Sequence, residues 1–176
     1  MKALLLGFIL FTAFSASILA QAAGNDVEVR KDRFTGVTTV SLKPQILTKT
    51  AEYEIDLSKL QAEFGGKNIY GRIGEGSVYL EVMAKPKKAM SFGDLQLHFL
   101  VDGKPVDTGH TTSDLDPLDP SGYSHQFFIG IPFSTFKQIA IGKQVELRVG
   151  TIELTLSQTI LGKFKDVIEV APVSAK

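Results

Sequence analysis

Ser134-Thr135-Phe136-Lys137, within IPFSTFKQIA, sets a hydroxyl three residues before an ammonium. On a helix that spacing puts both groups on one face. In some acyl-transfer enzymes S-x-x-K pairs a nucleophilic serine with its lysine, and the chemistry also needs a polar motif such as S-D-N and a K-T-G strand opposite the serine. Here Ser113-Asp114-Leu115 lacks the asparagine, and K-T-G occurs nowhere. Pro132 closes the preceding apolar run, and Phe136 and Ile139 are spaced to bury one face. Ser134 is therefore expected to cap a short helix, and its loss to cost about 1 kcal/mol, as lost caps do.

A second cluster lies in TSDLDPLDPSG. Asp114, Asp116 and Asp119 fall close together, flanked by His110 and His125. Carboxylates this dense repel one another unless a cation or solvent screens them, and short Asp-rich loops often supply calcium with oxygen ligands. The EF-hand spelling fails, because Leu118 stands at an acidic position and no Glu closes the loop. Zinc would need His110, His125 and one Asp, at a spacing that matches no short ligand motif. The competing reading is a surface loop over 111–122, since Asp-Pro and Ser-Gly are ordinary turn chemistry. Asp114, Asp116, Asp119, His110 and His125 stand as the candidate ligands for calcium or zinc, and no other cofactor is indicated.

Gly71-Arg72-Ile73-Gly74-Glu75-Gly76-Ser77 matches neither the phosphate loop nor the dinucleotide fingerprint, and a strand pattern follows it, so a flexible turn is expected. His98 lies on the polar side of an alternating segment and is expected at the surface. No Ser/His/Asp set can be assigned from spacing, because such sets assemble in space. Lys85-Pro86-Lys87-Lys88 is the densest basic run. It reads as a solvated loop or as a contact for acidic envelope lipid or polysaccharide.

The elements that would carry these residues are mostly strands. Val37–Leu42 is rich in β-branched residues, Tyr53, Ile55 and Leu57 alternate with acids, and Ser77–Met83 is a strong strand pattern. Ser58–Phe64 is expected to form a helical turn or two. Leu95, Leu97, Phe99 and Val101 alternate up to the turn Asp102-Gly103, with Val106 beginning the partner strand. Tyr123–Ile131 returns as a strand, and Val145–Val149 and Ile152–Leu156 form a hairpin about Gly150. Helices are expected near 133–141, stopped by Gly142, and near 157–169, with Ser157 as cap and Ile160, Leu161, Phe164 and Ile168 on one apolar face. Short connections between strands, with helices near the end, favour a mainly β fold. An antiparallel sandwich is expected, with a partly closed barrel as the alternative.

The chain opens MKALLLGFILFTAFSASILAQAAG. Lys2, the apolar run Ala3–Leu19 and Ala20-Gln21-Ala22 spell a signal peptide over 1–22, cleaved after Ala22. That leaves 23–176 as one β-rich domain, with no later run long enough to span a membrane. The protein is thus expected in the periplasm or outside the cell. There are no cysteines, so disulfides and thiolate metal sites are excluded. Nineteen basic and nineteen acidic residues give no basic excess, which argues against a nucleic-acid partner.

Phe127 to Ile168 reads as a strand, then IPFSTFKQIA, then GKQVELRVG, then a strand leading into a helix. This segment resembles one in uncharacterised exported bacterial β-domain proteins, and DRFTGVTTV (32–40) has the same flavour. The resemblance implies an exported or envelope-associated β domain with Ser134 in a capping position, and carries no activity. The expected function is accordingly a non-enzymatic binding or accessory domain of the bacterial envelope, its partner an envelope protein or polysaccharide. An envelope hydrolase and a calcium- or zinc-stabilised structural module are the alternatives.

Overall fold

The computed structural model describes residues 26–65, 76–116, 119 and 121–172. The expected signal peptide, the glycine-rich segment apart from Gly76 and Ser77, and the last four residues lie outside these. Strands β1 (Val27–Lys31), β2 (Thr38–Leu42), β3 (Gln45–Lys49), β4 (Tyr53–Phe64), β5 (Ser77–Pro86), β6 (Leu97–Val101), β7 (Lys104–Val106), β8 (Thr111–Leu115) and β9 (His125–Pro132) lead to helix α1 (Phe133–Ile141). Strands β10 (Val145–Val149) and β11 (Ile152–Thr155) follow, and helix α2 (Gln158–Val170) comes last. One sheet has seven strands in the order β1-β2-β4-β5-β9-β8, with β3 beside the first part of β4. The other has four, in the order β11-β10-β6-β7. Every pairing is antiparallel. Neither sheet closes, so the fold is the expected antiparallel sandwich and not the barrel.

Alternation along the strands explains the layering, because successive side chains point to opposite faces. On β5, Val78, Leu80, Val82 and Ala84 are buried, and on β9 Phe127, Ile129 and Ile131. Leu97 and Phe99 of β6 and Val145, Leu147 and Val149 of β10 form the apolar side of the smaller sheet. These residues belong to one buried cluster. It also takes in Phe136 and Ile139 of α1 and Ile160, Leu161, Phe164 and Val167 of α2. Helix α2 lies against β1 and β2, and α1 against β5, β6 and β9. The C-terminal helix starts as expected: the Ser157 hydroxyl accepts from the Ile160 amide at 3.3 Å.

Three local expectations are corrected. Ser58–Phe64 is strand, not helix, since β4 is paired on both sides there, with Leu60 opposite Leu42 and Leu80. A bulge between Leu57 and Lys59 inserts one residue. It shifts the inward set from Ile55 and Leu57 to Leu60, Ala62 and Phe64, which breaks the alternation halfway along the strand. The Ser58 hydroxyl settles the bulge by donating to the Glu81 carbonyl at 3.0 Å and its carboxylate at 2.9 Å. Secondly, the first part of the 111–122 loop is strand β8, paired with β9. Thirdly, Ser134 is not a cap. Pro132 holds that position, no side chain caps α1, and Ser134 is already helical and exposed. Pairing of Pro132 with Ser77 carries β9 up to the helix, and the Phe133 amide donates to the Gly76 carbonyl at 2.6 Å. Tertiary pairing thus starts the helix two residues earlier than a Ser134 cap would.

Candidate functional site

The five candidate metal ligands are spread over several environments. His110 is exposed just ahead of β8, and Asp114 lies exposed within it. An extended chain rises about 3.3 Å per residue, so roughly 13 Å separates their backbones. One Asp114 carboxylate oxygen accepts from the Leu115 amide at 2.8 Å. His125 turns the other way, packing edge-on against Phe92 at 4.9 Å between ring centres, with Phe127 beyond it. Its Nδ1 is buried and meets no hydrogen-bonding partner. Among the described residues no three His, Asp or Glu side chains gather in an arrangement that could hold a metal ion.

Asp119 organises its own loop. Its carboxylate accepts from the Ser121 hydroxyl at 2.5 Å and from the amides of Ser121 and Ser124, both at 2.9 Å. These bonds, the Ser121 hydroxyl foremost and then Ser124, hold the carboxyl well below the usual carboxylate range. The Asp119 end of the sequence cluster is thus a turn built around that acid, while Asp114 sits on β8. Asp116 and Asp119 also line an open cleft of about 380 Å³ with Glu54, Lys85 and Lys87. Its cations are engaged. Lys85 pairs with Asp56 at 2.5 Å, and the Lys87 ammonium donates to the Thr50 carbonyl at 3.1 Å. Lys49 binds Glu54 and keeps its carboxyl below its ordinary range.

In the S-x-x-K pair Ser134 is exposed, and Lys137 lies against an aromatic ring. The Lys137 ammonium sits 5.3 Å from the centre of the Phe133 ring, and Phe133 stacks on Phe136. His98 is exposed as expected, but it has company the sequence did not reveal. It faces Arg148 across the β6–β10 pairing, and Arg148 faces Glu153 on β11. Asp94 reaches His98 at 3.3 Å and Arg148 at 4.0 Å. Glu146, Arg148, Glu153 and His98 line a pocket of about 180 Å³ with Leu100 and Pro105. These are exposed or half-buried charges on the outward face of the smaller sheet, with acids in excess.

The outward face of the seven-stranded sheet is built differently. Register places three rows across it. The first is Ser41, Gln61, Tyr79 and Gly130, the second Lys59, Glu81, Phe128 and Thr112, and the third Asp56, Met83, Gln126 and Asp114. Tyr79, Glu81, Met83, Gln61 and Gln126 are half-buried, and Phe128 is exposed. The Tyr79 ring lies over Gly130, where a Cβ would stand 3.4 Å from its Cε1. A strand-interior glycine commonly marks such a close approach. Burial and the neighbouring Glu63 raise the Tyr79 phenol, so it stays a hydrogen-bond donor at neutral pH. Sequence reasoning passes over Tyr79, Phe128 and Gly130. The available signals are an aromatic at an outward strand position and a lone glycine within FFIGIP.

No protein-family model, curated protein or solved structure matches the chain.

Proposed function

We propose that this is an exported, non-enzymatic binding domain of the bacterial envelope, which holds a neutral polysaccharide on the outward face of the seven-stranded sheet. The observation that carries this reading is the Tyr79 ring laid over Gly130 amid Gln61, Gln126 and Phe128. Sugar rings present apolar C–H faces that stack on aromatic rings, while their hydroxyls need amide and phenol partners. A half-buried sheet face with two aromatics and two amides offers both. Glu63, Glu81, Asp56 and Asp114 line the same region against Lys59 and Lys85, so a polyanion is disfavoured. The leader-like N-terminus and the resemblance of 127–168 to exported β domains support the location.

The test is affinity electrophoresis through gels containing soluble neutral envelope polysaccharides. Tyr79→Ala is expected to weaken binding on the order of tenfold, as truncating an aromatic anchor does. Gly130→Val, which drives a side chain into the Tyr79 ring, is expected to do the same. A panel in which no polysaccharide retards the folded protein, while an envelope protein binds it, would replace this reading with a protein partner.

A further inference from the structure

The hairpin between β1 and β2 ends in Asp32-Arg33-Phe34-Thr35-Gly36, and Phe34 at its tip is 86% exposed. A single exposed ring is ordinary on a protein surface, and what marks this one is the order of the tip that carries it and the charge around it. The tip is held in shape by its hydrogen bonds. One Asp32 carboxylate oxygen accepts from the Phe34 amide at 2.7 Å and the Thr35 amide at 3.3 Å. The Asp32 carbonyl accepts from the Gly36 amide, and the Asp32 amide donates to the Val37 carbonyl, both at 2.8 Å. Thr35 accepts from the Val37 amide through its hydroxyl. These bonds turn the exposed Asp32 carboxylate to its own backbone and fix the tip from which Phe34 projects.

Positive charge surrounds the ring. The Arg33 guanidinium lies 4.9 Å from its centre. Arg30 and Lys31 are exposed on the adjoining end of β1. As consecutive strand residues they project to opposite faces of the hairpin. None of the three is in an ion pair with another described residue. Asp32 is the one acid of the tip, and its carboxylate is turned to its own backbone.

We infer that this hairpin tip docks on an anionic phospholipid surface, with Phe34 as a wedge between headgroups and Arg30, Lys31 and Arg33 on lipid phosphates. Charge on both sides of a protruding ring suits a planar layer that meets it from all around. A protein pocket would more naturally be matched by charge on one side. Each basic residue near an anionic leaflet strengthens binding about fivefold, and burying the one apolar side chain adds about tenfold or more. The contact is therefore reversible and tunes location. It rests on the reading of an exported envelope domain only in that a leaflet must lie within reach.

The chain has no tryptophan, so Phe34→Trp places a single reporter at the tip of the full-length protein. Vesicles of phosphatidylglycerol and phosphatidylcholine should shift its emission to the blue, and brominated acyl chains should quench it. Pure phosphatidylcholine should do neither. Replacing Arg30, Lys31 and Arg33 together by Gln should lower partitioning on the order of a hundredfold. Raising salt from low to molar levels should weaken binding of the tip with its three cations intact, as the Debye length falls from about 30 to about 3 Å. The salt series carries the charge argument if the triple variant folds poorly. The introduced indole reports its own surroundings, so the signal is read at the tip itself. An unmoved spectrum with anionic vesicles, in protein whose circular dichroism is native, overturns the inference. So does a shift of equal size on neutral vesicles. A response to an envelope protein without one to lipid would also overturn it, in favour of a protein partner. Vesicles contain no glycan and polysaccharide gels no lipid, so this failure is separable from a failure of the sheet-face reading.

Discussion

With several donors on its carboxylate, Asp119 is held below its ordinary pKa of 3.8. A depressed carboxylate pKa contributes stability that is present above the unfolded value and is lost as pH falls through the folded one. Carbon-detected NMR titration should give Asp119 a midpoint clearly below 3.8, and Ser121→Ala should raise it. A midpoint at or above the ordinary value would contradict the hydrogen-bonded turn. Ser134, like Asp119, has a spacing that suggests chemistry, but it lies exposed within the first turn of α1 and caps nothing. Ser134→Ala is expected to change stability by no more than about 0.5 kcal/mol, as at an ordinary surface position. A denaturant midpoint shift equivalent to about 1 kcal/mol would restore its capping role. Ser157 and Ser134 look alike in sequence, each a serine ahead of an apolar periodic run. What separates them is the Ser77–Pro132 pairing, a long-range fact that no local window contains.

At the scale of elements, the strands with clean alternation are legible. β5, β6, β9, β10 and the apolar face of α2 follow from spacing alone. The Ser58 bulge hides the second half of β4, because a single inserted residue breaks the alternation between Leu57 and Leu60. β8 is hidden for another reason. TTSDL has the composition of a loop, and it is a strand because β9 offers it an edge and Gln96 and Leu97 hold its start. The buried Thr111 hydroxyl accepts from the Leu97 amide at 3.1 Å, which joins an edge of one sheet to the first residue of β6 in the other. Thr111→Val keeps the shape and removes that acceptor, leaving a buried amide unpaired. The expected loss is about 1–3 kcal/mol, read from urea unfolding. A change of only a few tenths would mean that water replaces the bond.

For the whole molecule, the sandwich is foreseeable from short connections and many strands, whereas the sheet to which each strand belongs is not. The tyrosine–glycine contact on the outward face is also out of reach. It depends on the register of β5 against β9, which becomes visible only once both strands are placed. A single buried cluster links both sheets and both helices. Unfolding should therefore be one cooperative transition, with far-ultraviolet dichroism and tyrosine fluorescence coinciding against denaturant. Separated transitions would show that the four-stranded sheet melts by itself.

The outermost strands have a bearing on how the protein behaves in concentrated solution. Open sheet edges are templates for joining other chains, and charge or proline blunts them. β1 presents Glu28, Arg30 and Lys31, β8 presents Asp114, β11 presents Glu153, and β7 carries Pro105, which has no amide to donate. β3 has Lys49 and the bulge between Ile46 and Thr48, but it also bears the most exposed large apolar side chain of these edges, Ile46 at 59%, with no further strand beside it among the described residues. If copies of this chain ever stack into fibres, the growing contact should form along β3, and Ile46→Lys is the change that should stop it.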